Sequence, residues 1–595
     1  MEITPRWTEE THVTGHKWAL VVLVAGVPAG ESATAGWPYY EAERGRLSTA
    51  SNNNNHREVV RLAGALLPKV EARYAKMSTH WYWVQSTLGR SLHFLGESDK
   101  ALPYLKQAAN QLLNQESSAQ IIWANLYLGS LYNDRGEYAL ARESLNRAER
   151  AAMDSRNLTE QVRAELARCR GNVHLANGEF RKAMGWYAEQ NRALKSWLGT
   201  RNTGSVYGEE NIALCEIHLG EFSSARRRAE WVVSVFTAAH GRDDPKTLIK
   251  RIRLARYFVY EQEPDKGLAA LTDIEAALKE RDRQRARFSD QKRKQASALA
   301  DSGVFSQLGY EYSFIARPEA RLRAAKKAHA LAVEGRAPLA DLHDRLAELG
   351  YSLDETENLE DSVRTFSKAL TLAENLPESD AKVKAARLSN ALLGLAEAES
   401  GLGRYARADE HYRESIRIAR ETFGAVSKET AYAEVTYSSF LKNAGKLQLA
   451  EEYAERARIV RKKVLPNDLS LRAQEWYAEA CDLLEAGDKA GAKRKFTRAS
   501  DLLHTVDRCG LHRAMSKFAQ RVDKAGDVAW AAEITERELN YALRVHGPQN
   551  WVTMDARLSL SVLLRKLGRF DEAREQISLA TEFFENGDSF SLCKL

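Results

Sequence analysis

The chain has 595 residues, of which 87 are Lys or Arg and 81 Asp or Glu, leaving a formal net charge of +6. So slight a bias gives no footing for specific nucleic-acid binding, which draws its affinity from neutralising phosphates. The five cysteines (Cys169, Cys215, Cys481, Cys509 and Cys593) include no Cys-x-x-Cys or other zinc-like spacing, and only 12 prolines interrupt helix formation.

At the N-terminus, residues 1–35 hold an apolar run from Trp18 to Val27, preceded by His16-Lys17 and followed by Ala33-Thr34-Ala35. The run is too short to anchor in a bilayer, and small residues in that arrangement suit a signal peptidase. The segment therefore reads as an export signal, which favours an exported chain over a cytoplasmic one; a buried element capping the first repeat is the other reading. Residues 36–56, with Asn52 to Asn55 in a row, read as a polar linker.

From there a repeat dominates. Gly96, Gly136, Gly178, Gly220, Gly403, Gly445, Gly487, Gly526 and Gly568 are each followed five residues later by alanine, at steps of about 42 residues apart from one long gap. A fixed period means one small unit stacked along the chain. In the unit around Gly136, Leu128, Leu131 and Tyr132 share a face of a first helix, and Ala141, Leu145 and Ala148 line a second. The glycine between them supplies the left-handed backbone that ends a helix, and the alanines let the two helices cross closely. The array divides into residues 57–277, an irregular stretch at 278–345 with helices separated at Pro318, and residues 346–595, about 12 units in all.

These residues resemble the tetratricopeptide motif: Leu88-Gly89 with Ala101, Leu105 and Ala108; Gly129 with Ala141, Leu145 and Ala148; and Gly487 with Ala492, Phe496 and Ala499. The 42-residue period is similar to the kinesin-light-chain variety of the repeat. The resemblance implies an all-α, right-handed superhelical solenoid of helix-turn-helix units whose first helices line a binding groove.

It also implies where a ligand sits. Arg168, Asn172, Asn211, Arg253 and Arg256 fall on first helices of the third to fifth units. They resemble the carboxylate clamp of chaperone-binding tetratricopeptide domains, in which Arg168 and Arg253 fill basic roles and Asn172 and Asn211 the two amide roles. Ile249 stands where a further basic residue belongs. Trp83, Trp123, Tyr127 and Tyr207 occupy other groove positions and offer flat, polar-edged anchors for a peptide. The stretch Lys279 to Lys294 is strongly basic and reads as a solvated helix extension or loop, with docking of an acidic partner as the alternative.

No phosphate-binding glycine loop, dinucleotide fingerprint, nucleophile elbow or zinc helix occurs, so no enzyme and no cofactor are expected. The expected function is a protein-protein interaction scaffold or adaptor binding peptide segments, with an acidic or carboxylate-terminal segment as the ligand. The alternative is a regulatory or sensor subunit controlling a separate effector. The final helix ends in Phe583-Phe584 with no evident polar capping helix after it, which leaves self-association through the last repeat open.

Overall fold

The computed structural model describes residues 38–586, apart from 53–54, 75–77, 96, 111–117, 136, 155–157, 201, 220, 262, 315–316, 377–380, 465–468, 507, 546 and 549. Among the described residues there are 26 α-helices and no strand. The chain divides into two compact units at residues 219/220.

The first unit holds α1 (Pro38–Asn52), α2 (His56–Tyr74), α3 (Thr79–Phe94), α4 (Ser98–Ala109) and α5 (Ser118–Asp134). It continues with α6 (Tyr138–Asp154), α7 (Glu160–Ala176), α8 (Phe180–Leu198) and α9 (Tyr207–His218). The second unit begins with α10 (Phe222–His240), α11 (Pro245–Tyr260), α12 (Pro264–Ala286), α13 (Gln291–Phe314) and α14 (Pro318–Glu334). Next come α15 (Leu339–Glu355), α16 (Leu359–Glu374), α17 (Ala381–Gly401), α18 (Tyr405–Phe423), α19 (Lys428–Asn443) and α20 (Leu447–Val464). It ends with α21 (Leu469–Glu485), α22 (Lys489–Val506), α23 (Arg508–Lys524), α24 (Val528–Val545), α25 (Trp551–Lys566) and α26 (Phe570–Asn586). Within each unit, successive helices pack as hairpins such as α7 with α8 and α17 with α18.

The turn glycines among the described residues behave as their spacing predicts, while Gly96, Gly136 and Gly220 lie outside them. Gly178, Gly403, Gly445, Gly487, Gly526 and Gly568 have φ between 67° and 84°, the left-handed region where a side chain would be strained. The second helix is then held close by small residues on the first. A Cβ on Gly89 would lie 2.8 Å from Leu105, and one on Gly171 would lie 2.5 Å from the Tyr187 ring. Leu105 and Tyr187 are fully buried, each contributing roughly 2–3 kcal/mol of apolar burial.

One expectation changes. Residues 36–56 do not form a linker: α1 covers most of them, because Tyr40, Leu47 and Ala50 recur on one helical face and are buried. The export-signal reading of residues 1–35 lies outside the described residues. In the middle of the chain the helices are longer, with 23 residues in α12 and 24 in α13, and α14 starts at Pro318, the point expected to separate two helices. There Glu357, with φ of 60°, replaces glycine in the turn between α15 and α16, the hairpin that carries Gly350, Phe366 and Ala369.

The basic stretch of residues 279–294 joins α12 to α13 and serves two ends. Arg281 and Arg285 turn inward, with Nε and Nη1 respectively 2.7 and 2.6 Å from the carboxylate of the buried Asp301. Lys279, Arg283 and Arg287, one turn apart, remain exposed on the opposite side.

Candidate functional site

In the first unit α3, α5 and α7 are the first helices of successive hairpins, and they lie side by side. Ser78 starts α3 by accepting the Trp81 backbone N–H at 3.2 Å. Trp83 on α3 and Trp123 on α5, 40 residues apart, hold the same place in neighbouring hairpins. Both are half-buried and rest on the core of the unit.

Each indole has a specific neighbour. The Arg44 guanidinium stands 5.9 Å from the Trp83 ring centroid. Trp123 stacks on Tyr127 with centroids 5.9 Å apart and planes inclined by 26°. Tyr127 is buried, and burial raises its phenol pKa. The Arg90 guanidinium lies 5.6 Å from the Tyr127 centroid, and Nη1 donates to its hydroxyl at 3.5 Å.

Forty-two residues beyond Trp123 the aromatic gives way to Glu165. Arg168 answers it within the same helix, donating from Nε at 3.0 Å and from Nη2 at 2.5 Å. Burial opposes the Arg168 charge, yet the Glu165 carboxylate outweighs it and holds the guanidinium pKa above its ordinary value. Asn172 is buried one turn on, its carboxamide 2.8 Å from the Tyr187 hydroxyl of α8. With the amide turned so that its nitrogen donates to Tyr187, its oxygen accepts from Arg168 Nη1 at 3.2 Å. Tyr207 and Asn211 lie half-exposed on α9.

Arg253 and Arg256 belong to the second unit, on α11, where Arg253 is half-exposed. Arg256 makes a two-pronged bond to Glu311 of α13, Nε to Oε2 at 2.9 Å and Nη2 to Oε1 at 2.5 Å, and its guanidinium lies 5.0 Å from the Tyr310 centroid. Burial works against its charge, but the fully buried Glu311 carboxylate keeps its pKa above the usual value. Asn172 and Arg256, expected to face a ligand, therefore carry contacts that hold helices together.

Several of these partners escaped sequence reasoning. Arg44 lay in the supposed linker. Glu165 precedes Arg168 by three residues, a helical ion-pair spacing that was there to be read. Nothing local marks Arg90 or Glu311, which meet their partners across 37 and 55 residues.

Chemically the first-helix face offers indole surface, guanidinium groups and amides, which suit adhesion to a peptide. Among the described residues no group of three or more His, Cys, Asp or Glu could hold a metal ion.

A family model described as tetratricopeptide repeat matches residues 388–427, from within α17 through α18 to Ser427. That hairpin carries the turn glycine Gly403 and the buried Ala408 and Tyr412 that recur elsewhere in the chain. Residues 388–427 are a tetratricopeptide repeat.

No curated protein matches the chain. Solved structures similar to this chain include BtubC (BKLC) from P. vanneervenii, at 15% identity over 48% of this chain and 96% of that one, with a TM-score of 0.24. Another is aspartyl phosphate phosphatase F from Bacillus subtilis, at 14% identity over 72% and 96%, with a TM-score of 0.33. A third is a Podosopora anserina putative kinesin light chain with nearly identical TPR-like repeats, at 13% over 42% and 99%, with a TM-score of 0.21. Likeness at these scores carries nothing about ligands or partners.

The array also accounts for its cysteines. Cys169, Cys215 and Cys481 are free and buried, and burial pushes the Cys169 and Cys215 thiols up to about 12, well out of the reactive range.

Proposed function

We propose that this tetratricopeptide array is a non-catalytic interaction scaffold. The first-helix face of its 38–219 unit holds a peptide segment of a partner protein. The observation that carries this reading is the pair Trp83 and Trp123, placed identically on neighbouring hairpins. Neither indole is fully buried, and guanidinium groups attend both Trp83 and the Tyr127 ring stacked on Trp123. Such a face suits a segment with apolar anchor residues and flanking acidic side chains.

The aromatic pair is favoured over a carboxylate clamp for a physical reason. Arg168 already bonds Glu165, and a ligand carboxylate binding there would have to displace that ion pair. The indoles need no such exchange.

The test is affinity capture with the full chain, its Trp83→Ala/Trp123→Ala variant, and an Asn211→Ala/Arg253→Ala variant. Partners lost only from the tryptophan variant support the aromatic face. Partners lost only from the Asn/Arg variant would contradict this proposal.

A further inference from the structure

The residue that opens the second helix of a hairpin is commonly an acid. Glu97, Glu179, Glu221 and Glu263 are the N-caps of α4, α8, α10 and α12, and Asp488 and Asp527 directly precede α22 and α24. A negative charge there sits against the positive end of the helix dipole. Two adjacent hairpins of the second unit reverse it. Arg404 is the N-cap of α18, and Lys446 takes the same place before α20: their carbonyls accept the Ala408 and Ala450 backbone N–H groups at 3.1 and 3.0 Å. A cation at that point opposes the dipole, so helix stability does not account for the pair. Arg317 and Arg569 share the reversal, but Arg569 is held between Glu536 and Glu572, and Arg317 is followed by Pro318 rather than a large side chain.

Positive charge is in surplus at these two turns. Arg404 and Arg407 share one buried carboxylate, Glu399, at 3.1 and 3.8 Å. Lys442 and Lys446 are exposed and pair with no carboxylate among the described residues. Beside them Tyr405 is 54% exposed and Leu447 64%. In other hairpins the same place meets a ring from the end of the following first helix: Phe180 stacks on His218 with centroids 4.7 Å apart, and Phe222 on Tyr260 at 5.6 Å. At the positions of His218 and Tyr260, Asn443 and Glu485 follow Tyr405 and Leu447 and offer no ring. Tyr405 leans instead toward Phe440 of α19, centroids 6.3 Å apart, which joins the two turns into one surface.

The charges around this surface limit what fits it. Exposed Glu357 and Glu360 mark the preceding turn, between α15 and α16, and exposed Glu485 and Asp488 the following one, between α21 and α22. Glu410 and Glu451, one turn further along α18 and α20, bound it lengthwise. The basic area is thus two hairpins wide, on the order of 20 Å, the span of about six extended residues. Acids on every side repel the continuous phosphates of a nucleic acid or a flat anionic lipid surface. A short acidic segment with an apolar residue matches both the cations and the uncovered side chains. We propose that Arg404, Tyr405, Arg407, Lys442, Lys446 and Leu447 form a docking surface for an acidic, apolar-anchored peptide segment of a partner protein. It lies on the turn edge of the second unit and is distinct from the Trp83 and Trp123 face.

The test is selection on the full chain from a phage-displayed library of random peptides, each of about twelve residues, enough to span the surface. Affinities of the recovered peptides are then measured by fluorescence anisotropy. The expected peptides carry acidic residues flanking an apolar one. Lys446→Glu/Leu447→Ser should weaken their binding by about tenfold or more, added salt should weaken it further, and Trp83→Ala/Trp123→Ala should leave it unchanged. Both substituted side chains are exposed and Lys446→Glu restores the acid usual at that place, so helical circular dichroism and the urea midpoint should hold. Three results would overturn the proposal: no acidic peptide recovered, peptides that bind the Lys446→Glu/Leu447→Ser chain as tightly as the parent, or peptides lost only from the tryptophan variant. So would single-stranded DNA or phosphatidylserine vesicles binding through Lys446 and Leu447, which would assign the surface to a phosphate backbone or a membrane.

Discussion

Phe366 presses its ring against Gly394, the point where the first helix of the following hairpin lacks a side chain. Phe366 is fully buried, so the contact sets how closely α16 and α17 approach. Gly394→Ala would force the ring or the helix aside, at a cost of about 1–3 kcal/mol. The expected outcome is a lower urea midpoint, partly recovered by Phe366→Leu in the same chain. Equal losses from the two changes, adding without recovery, would show that the ring and the glycine do not meet.

Arg256 and Glu311 form a buried ion pair between α11 and α13. Removing the cation alone, as in Arg256→Met, strands the buried carboxylate and should cost about 3–5 kcal/mol. Replacing both partners, Arg256→Met with Glu311→Leu, should cost much less, since no charge is left without a partner. Chemical denaturation of the three chains provides the comparison.

His93 and His218 give the first unit a defined response to acid. Burial lowers both from the ordinary value of 6.5 to about 4, and for His93 the Arg168 charge adds to the effect. As pH falls, the unfolded chain takes up these protons before the native one does. Their contribution is therefore complete above about pH 6.5 and is lost progressively as pH falls toward 4, by at most about 3 kcal/mol for each ring. His218→Phe keeps an aromatic ring against Phe180, 4.7 Å away, and removes the titration. Thermal melts of that variant should fall less steeply between pH 6.5 and about 4 than those of the parent. Parallel curves would contradict the assignment.

The repeat was legible because its most constrained positions leave a residue-type trace. A left-handed turn calls for glycine and a close helix crossing for alanine, so Gly403 with Ala408, or Gly568 with Ala573, announces a hairpin. Where another residue tolerates the turn, as Glu357 does, the glycine is lost, and the hairpin shows only through the close pair Gly350 and Phe366.

A second series went unread although its signal is equally physical. Gly199, Gly241, Gly424 and Gly547 close second helices with φ of 83° to 92°. Three residues later Asn202, Asp244, Ser427 and Asn550 cap the next helical turn through their side chains. Six residues after Gly424 and Gly547, the hydroxyls of Thr430 and Thr553 donate back to those glycine carbonyls at 2.8 Å. Glycine, cap and threonine at three-residue steps mark the connections between hairpins as clearly as glycine and alanine mark the turns within them.

The candidate site was less legible because helical spacing reports which face a residue occupies, not what it touches. Arg168 and Asn172 lie one turn apart as the sequence requires, yet one is held by Glu165 and the other by Tyr187. Trp83 and Trp123 were readable as equivalent positions, while the guanidinium groups that attend this face come from Arg44, in a segment taken for a linker, and from Arg90.

The most direct test of the account is hydrogen exchange on the full chain, alone and bound to a partner recovered through the aromatic face. The account predicts protection on binding concentrated in residues 79–94 and 118–134, the helices that carry Trp83 and Trp123. Protection confined to the second helices, or to the 220–586 unit, would contradict it.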